Sequence, residues 1–176
     1  LKGQSLGIDI KSMEDSGALT IAWQPTTEGL LDGLGARLLN LVEEKGIKRL
    51  FIDSLSGMTR VSTNPARITD FFSALMNELR SRGVTVFASW EMRDLFGSEV
   101  SAPNSDLSSI VDNLMLMRFS ENHSELSRTL SILKIRDSSY DPSRFVVVIR
   151  DQDVFLEKAS RREPSVPAES SPGSIS

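Results

Sequence analysis

The 176-residue chain contains no cysteine and a single histidine, His123. Without cysteine there are no disulfides, no thiolate metal sites and no cysteine nucleophile. One histidine argues equally against His-based zinc sites and Ser-His-Asp chemistry. His123 itself falls in Glu121-Asn-His-Ser-Glu125 and reads as a solvated turn residue. Aromatic residues make up 6% of the chain, and Trp23 and Trp90 are too few and too separated for a base-stacking platform. Positive charge is also short: 20 Lys+Arg against 24 Asp+Glu leave a net charge of −4, which argues against a dedicated nucleic-acid surface. No apolar run approaches the ~18 residues of a membrane span. No secretory pattern of basic, apolar and small residues occurs, and no repeat with a period of about 20–50 residues is visible. The chain opens on Leu1 rather than Met. The expectation is a soluble cytoplasmic protein that has lost its beginning.

What is present supports a folded domain. Hydrophobic residues reach 39% and charged residues 25%, enough for a core and against disorder throughout. At about 150 residues per domain, the length implies one domain with an appendage. Residues 159–176 hold three of the seven prolines and six serines with almost no large apolar side chain. Such a segment cannot bury enough surface to offset its ordering entropy, so a disordered tail is expected there and a domain over 1–158.

Within 1–158 the hydrophobic period alternates. Leu19-Thr-Ile-Ala-Trp23 is a strand candidate closed by Pro25. Apolar residues at 30, 31, 34, 38, 41 and 42 form a helical stripe ending at Gly46. Arg49-Leu-Phe-Ile-Asp53 is a compact run suited to a buried strand. Ile68, Phe71, Phe72, Leu75, Met76 and Leu79 trace a second helix, with Asn64-Pro65 before it and Gly83 after. Val84–Ala88 and Asn113–Phe119 read as further buried strands, and Leu126–Ile135 with Arg144–Ile149 as a closing pair. Strand, helix, strand, helix, strand predicts an α/β fold with a mostly parallel sheet flanked by helices and an antiparallel extension at one edge.

In such sheets ligands bind beyond the carboxyl ends of the strands. Three expected strand ends carry polar residues: Asp53-Ser54, Ser89-Trp90-Glu91, and Arg118 with the loop after it. Leu50-Phe-Ile-Asp53 has the form of a Walker B element, whose carboxylate holds Mg²⁺ beside a nucleoside triphosphate; a strand-end aspartate is also a common turn former. Ser89 and Glu91 could position a γ-phosphate or an attacking water, or could cap the turn into the polar stretch Met92–Asn104, which reads as a mobile loop. Lys134-Ile-Arg136-Asp-Ser138 places two cations on one strand face beside a hydroxyl, suited to an anion or, alternatively, to guarding a sheet edge. The phosphate cradle that should accompany a Walker B element, Gly-x-x-x-x-Gly-Lys-Ser/Thr, is absent. Of the six lysines only Lys11 precedes Ser or Thr, and Ile10 stands before it instead of Gly. Residues 1–176 alone therefore cannot bind ATP in the usual way.

Several blocks together resemble the KaiC family of RecA-like ATPases: Leu6-Gly-Ile-Asp9, Arg49-Leu-Phe-Ile-Asp-Ser-Leu-Ser-Gly57, Leu107-Ser-Ser-Ile-Val-Asp-Asn-Leu-Met-Leu-Met-Arg118 and Arg128-Thr-Leu-Ser-Ile-Leu-Lys-Ile-Arg-Asp-Ser-Ser-Tyr140. The resemblance implies the C-terminal part of the second domain of a bacterial tandem-domain protein, with the P-loop upstream of Leu1. It also implies ATP and Mg²⁺ as cofactors, a hexameric homo-oligomer and signalling partners. By the same resemblance Asp53 is the Mg²⁺-holding Walker B carboxylate, with Ser54 and Ser89 beside the nucleotide and Glu91 at a catalytic strand end. Lys134, Arg136 and Ser138 reach across to the neighbouring subunit's phosphates, where Arg136 acts as a catalytic cation in trans. Ser108 and Ser109 match the paired hydroxyl residues that KaiC autophosphorylates, here Ser-Ser rather than Ser-Thr. Tyr140 stands where many relatives have His and Asp137 where many have Gly. The family's catalytic glutamates follow the first strand after the P-loop and fall outside this sequence. The alternatives are a degenerate, non-catalytic RecA-like module that regulates or binds a partner, and a recombinase- or helicase-type relative, which the acidic balance disfavours.

Overall fold

The computed structural model describes residues 3, 6–24, 31–60, 62, 64–91, 107–122, 125–150 and 153–159. A short helix α1 (Ile10–Asp15) comes first, capped by the Asp9 side chain, which accepts from the Ser12 N–H at 3.1 Å. The stretch Leu19–Trp23 after it is not a strand, contrary to expectation, and Trp23 is 85% exposed. An apolar run becomes a strand only where a neighbour accepts its ladder bonds. Among the described residues β1 pairs with β2 alone, so that run has no partner strand.

The helical stripes lie where their periodicity puts them, in α2 (Leu31–Lys45) and α4 (Ile68–Ser81). Both end the same way. Gly46 and Gly83 adopt φ of 61° and 69°, a region that strains any residue with a Cβ. The amides after them turn back, Ile47 N–H to Val42 O at 2.9 Å and Val84 N–H to Leu79 O at 3.0 Å, closing orphan carbonyls of the last turn. Each reversal feeds directly into a strand: β1 (Arg49–Ile52) after α2, and β2 (Thr85–Ala88) after α4. Between β1 and α4 lie the short helix α3 (Leu55–Thr59) and a 3₁₀ turn at Pro65–Arg67.

β1 and β2 pair in parallel with Leu50 opposite Val86 and Phe51 opposite Phe87. Leu50 and Val86 pack toward the core of Val42, Phe72, Leu75, Leu79 and Val84. Phe72 and Leu79 are 1% and 0% exposed. Alternation sends Phe51 and Phe87 to the other face, where their rings stack at 5.7 Å and remain largely exposed. The two helix ends are tied by Arg82, which donates to Glu43 Oε2 at 2.9 Å and to Glu78 Oε1 at 2.8 Å.

The second half is a four-stranded antiparallel sheet in the order β3 (Asn113–Asn122), β4 (Glu125–Ile135), β5 (Arg144–Arg150), β6 (Asp153–Lys158). A short helix α5 (Leu107–Ile110) precedes it. The fold is thus mixed α/β, with parallel and antiparallel sheets, but the balance differs from the expected one. Among the described strands the antiparallel sheet is the larger, and Asn113–Phe119 belongs to it. Its alternate residues Met115 and Met117 are exposed, so β3 is not buried on both faces. The reason is the hairpin: β4 pairs with β3 along its whole length, from Asn113 opposite Ile135 to Asn122 opposite Glu125. Arg118 consequently lies inside β3 rather than at a strand end. The expected Met92–Asn104 loop, the turn at His123 and the tail beyond Ala159 lie outside the described residues. No described helix is long and apolar enough to cross a membrane.

Candidate functional site

The parallel strands deliver their carboxyl ends side by side, and the first polar group is built there. Ser89 follows β2 and donates its N–H to Ile52 O at 3.0 Å, while Leu55 N–H returns to Ser89 O at 2.9 Å. This backbone lacing extends the β1–β2 pairing past the strands and brings the Ser89 hydroxyl to Asp53 Oδ1 at 2.8 Å. The Asp53–Ser54 peptide is cis, and the Ser54 hydroxyl meets that of Ser56 at the start of α3. Glu91 stands two residues after Ser89, its carboxylate 3.8 Å from Arg60, both side chains largely exposed.

A carboxylate offers about four lone-pair sites, and the Ser89 hydroxyl uses one of them on Asp53. The donor set is one carboxylate with serine hydroxyls, all hard oxygen. No cluster of three or more His, Cys, Asp or Glu that could cage a metal occurs among the described residues. That composition fits Mg²⁺, which keeps several waters and is held by one or two carboxylates together with substrate phosphates.

A second group forms around α5 and the end of β4. Lys134 Nζ donates to Ser108 O at 2.7 Å and to Val111 O at 2.8 Å, satisfying carbonyls at the end of α5. Arg136 Nη1 reaches Asp112 Oδ1 at 2.8 Å, and Arg80 Nη2 reaches Asp112 Oδ2 at 3.0 Å. Ser109 is exposed and Ser108 half-buried. Ser138, in the turn after β4, donates to Ser139 O at 3.2 Å. Asp137 takes φ 60°, a left-handed conformation that Asp tolerates better than most residues, and Tyr140 donates its hydroxyl to Leu133 O at 3.0 Å.

The predicted residues thus fall into two constellations. Asp53, Ser54, Ser89 and Glu91 gather beyond the carboxyl ends of β1 and β2. Lys134, Arg136 and the Ser108-Ser109 pair gather at α5, tied through Arg80 to the last turn of α4, which leads into the amino end of β2. Asp112 and Arg80 were not foreseen. The signal was a lone aspartate before an apolar strand, and only the β3–β4 register shows that it meets Arg136.

The KaiC ATPase family matches residues 2–160. The chain belongs to that family. It is 28% identical over 156 residues to the circadian clock protein KaiC3 of Synechocystis, covering 88% of this chain and 30% of the relative. It is 32% identical over 139 residues to the circadian clock oscillator protein KaiC of Prochlorococcus marinus subsp. pastoris, covering 78% of this chain and 26% of that protein. The chain therefore spans under a third of the length of these relatives. In fold it is similar to the crystal structure of a KaiC-like protein from Pyrococcus horikoshii OT3, with a TM-score of 0.73 at 20% identity over 88% of this chain and 67% of the other.

Proposed function

We propose that residues 1–158 are the later part of an ATP-hydrolysing domain in a KaiC-like ring, the second domain of a tandem protein. Asp53 would hold Mg²⁺; Ser89 fixes the rotamer of that carboxylate, and Ser54 and Glu91 line the same edge. Lys134, Arg136 and Ser138 face the nucleotide of the neighbouring subunit, where Arg136 stabilises charge developing on the transferred phosphoryl group. The phosphate cradle comes from a P-loop outside residues 1–176. Ser108 and Ser109, on the segment that Lys134 holds, are the phosphoacceptor candidates for a serine autokinase activity. Bound Mg²⁺ would neutralise phosphate charge.

The observation that carries this reading is the division of the polar residues. Asp53 lies beyond the carboxyl ends of the parallel strands, whereas Arg136 is anchored through Arg80 to the end of α4 that leads into the opposite, amino end of β2. A site shared between two subunits needs that arrangement; a site within one subunit would bring the two together. The test is ATP turnover by rings of the full-length protein. Arg136→Ala should slow turnover by about 10³-fold or more, the range of arginine fingers.

A second reading, a non-catalytic partner-binding module, is favoured by Lys134. Its ammonium directs two of its three protons into the carbonyls of Ser108 and Val111, as a purely structural lysine does. Wild-type turnover in both Asp53→Asn and Arg136→Ala rings would select it.

A further inference from the structure

The carboxylate that fixes the end of β4 belongs to Asp112, which has no part in the roles above. Asp112 holds Arg136 twice: its carbonyl accepts the Arg136 N–H at 2.9 Å, and its Oδ1 accepts from Arg136 Nη1 at 2.8 Å. Its other oxygen takes Arg80 Nη2 at 3.0 Å, and Arg80 is itself steadied by Nη1 donating to Asn77 Oδ1 at 3.0 Å. Asp112 cannot drift, because the preceding residue, Val111, is gripped by Lys134. We propose that Asp112 is a positioning residue for Arg136, holding the guanidinium aimed toward the neighbouring subunit's phosphates before the ring's nucleotide arrives. The proposal rests on the reading of Arg136 as a trans-acting cation.

Three physical points support aiming over cancellation. The ion pair engages one of the five N–H donors of the guanidinium, and the planar fork fixes the direction of the remainder once one is held. Two guanidiniums, Arg80 and Arg136, share the single Asp112 carboxylate, so the one negative charge does not by itself cancel that of Arg136. The Arg136 and Asp112 side chains are 47% and 45% exposed, open to a neighbour but fixed on the side of their own subunit. An arginine left without such a support would have its rotamers ordered only on meeting the phosphate, at a cost to the rate.

The experiment compares ATP turnover of full-length rings carrying Asp112→Asn, Asp112→Glu, Arg136→Ala and the double variant Asp112→Asn/Arg136→Ala, with ring assembly checked by sedimentation. Asp112→Asn should lower kcat about 10-fold while KM for ATP stays within about twofold, because aim matters in the transition state and little for ground-state binding. Asp112→Glu should fall between wild type and Asp112→Asn. The double variant should be no slower than Arg136→Ala alone, since the carboxylate acts only through the arginine. A slow Arg136→Ala ring beside a wild-type kcat in Asp112→Asn overturns the positioning role and leaves the trans reading intact. So does a double variant that multiplies the two losses. Wild-type turnover in Arg136→Ala overturns the trans reading and the positioning role with it. If Asp112→Asn fails to assemble, Asp112→Glu decides: reduced kcat at unchanged KM supports the role, and wild-type kcat overturns it.

Discussion

The two halves of the chain hold together by different means. In the half built from α2, β1, α4 and β2, the stripes of two helices close over one face of a two-stranded parallel sheet, and nearly all fully buried side chains among the described residues lie there. In the half built from β3 to β6, long antiparallel ladders dominate, while Leu116 and Thr129 are the buried side chains among the described residues. On β6 the consecutive residues Val154, Phe155 and Leu156 are all exposed, so both faces of that edge strand are open. The first half removes more apolar surface from water, and the second makes the longer hydrogen-bonded ladders. The polar constellation at Asp53 hangs on the first half; Lys134 lies at the end of β4 and Arg136 just after it, in the second.

The sharpest way to break this contrast is to truncate one leucine in each half. Leu79→Ala should lower the unfolding free energy by about 3 kcal/mol, through lost transfer energy and a residual cavity. Leu156→Ala should change it by less than about 0.5 kcal/mol, as expected of an exposed position. Denaturant titration of the two variants measures both, and equal losses would erase the distinction. A smaller effect probes the reversal feeding β2. Gly83→Ala meets no heavy atom within 4 Å of the added Cβ, so its cost is the left-handed backbone alone, about 1 kcal/mol by the same titration.

The smallest effect lies in the antiparallel half and depends on pH. Lys158 Nζ reaches Asp141 Oδ2 at 2.8 Å, and the Ser143 N–H reaches Oδ1 at 2.8 Å. The Lys158 hydrogen bond first, then those from Ser143, hold the Asp141 carboxyl well below the usual carboxylate range. A carboxyl depressed in the folded state contributes stability that is present above its unfolded value of about 3.9 and lost as pH falls toward the folded one. Carboxyl NMR should therefore place the Asp141 midpoint below the ordinary range, and Lys158→Met should move it back up. An unmoved midpoint would show that the ion pair does not hold this end of β6.

How much was legible in the sequence follows from the same contrast. Periodicity located α2, α4, β1 and β2 because burial against one core writes a clean 3.6 or 2.0 pattern. Two apolar runs misled. Leu19–Trp23 carries the composition of a strand but has no partner strand among the described residues, and Asn113–Phe119 looks doubly buried although Met115 and Met117 face outward. Composition does not report which neighbour accepts a strand's amides. The site was legible residue by residue and not as an arrangement. Asp53 and Ser89 stood at strand ends and do meet, but the Arg80–Asp112–Arg136 chain joins residues more than twenty positions apart through a register that no local pattern encodes.

The central claim is that the Asp53 edge and the Arg136 edge serve one nucleotide only across a subunit boundary. Mixing full-length Asp53→Asn subunits with Arg136→Ala subunits tests it directly. Each variant alone should form rings with little turnover. Random co-assembly in equal amounts places an intact Asp53 against an intact Arg136 at about a quarter of the interfaces, so about a quarter of wild-type turnover should return. Mixed rings that assemble and yet remain as slow as either parent would contradict the account.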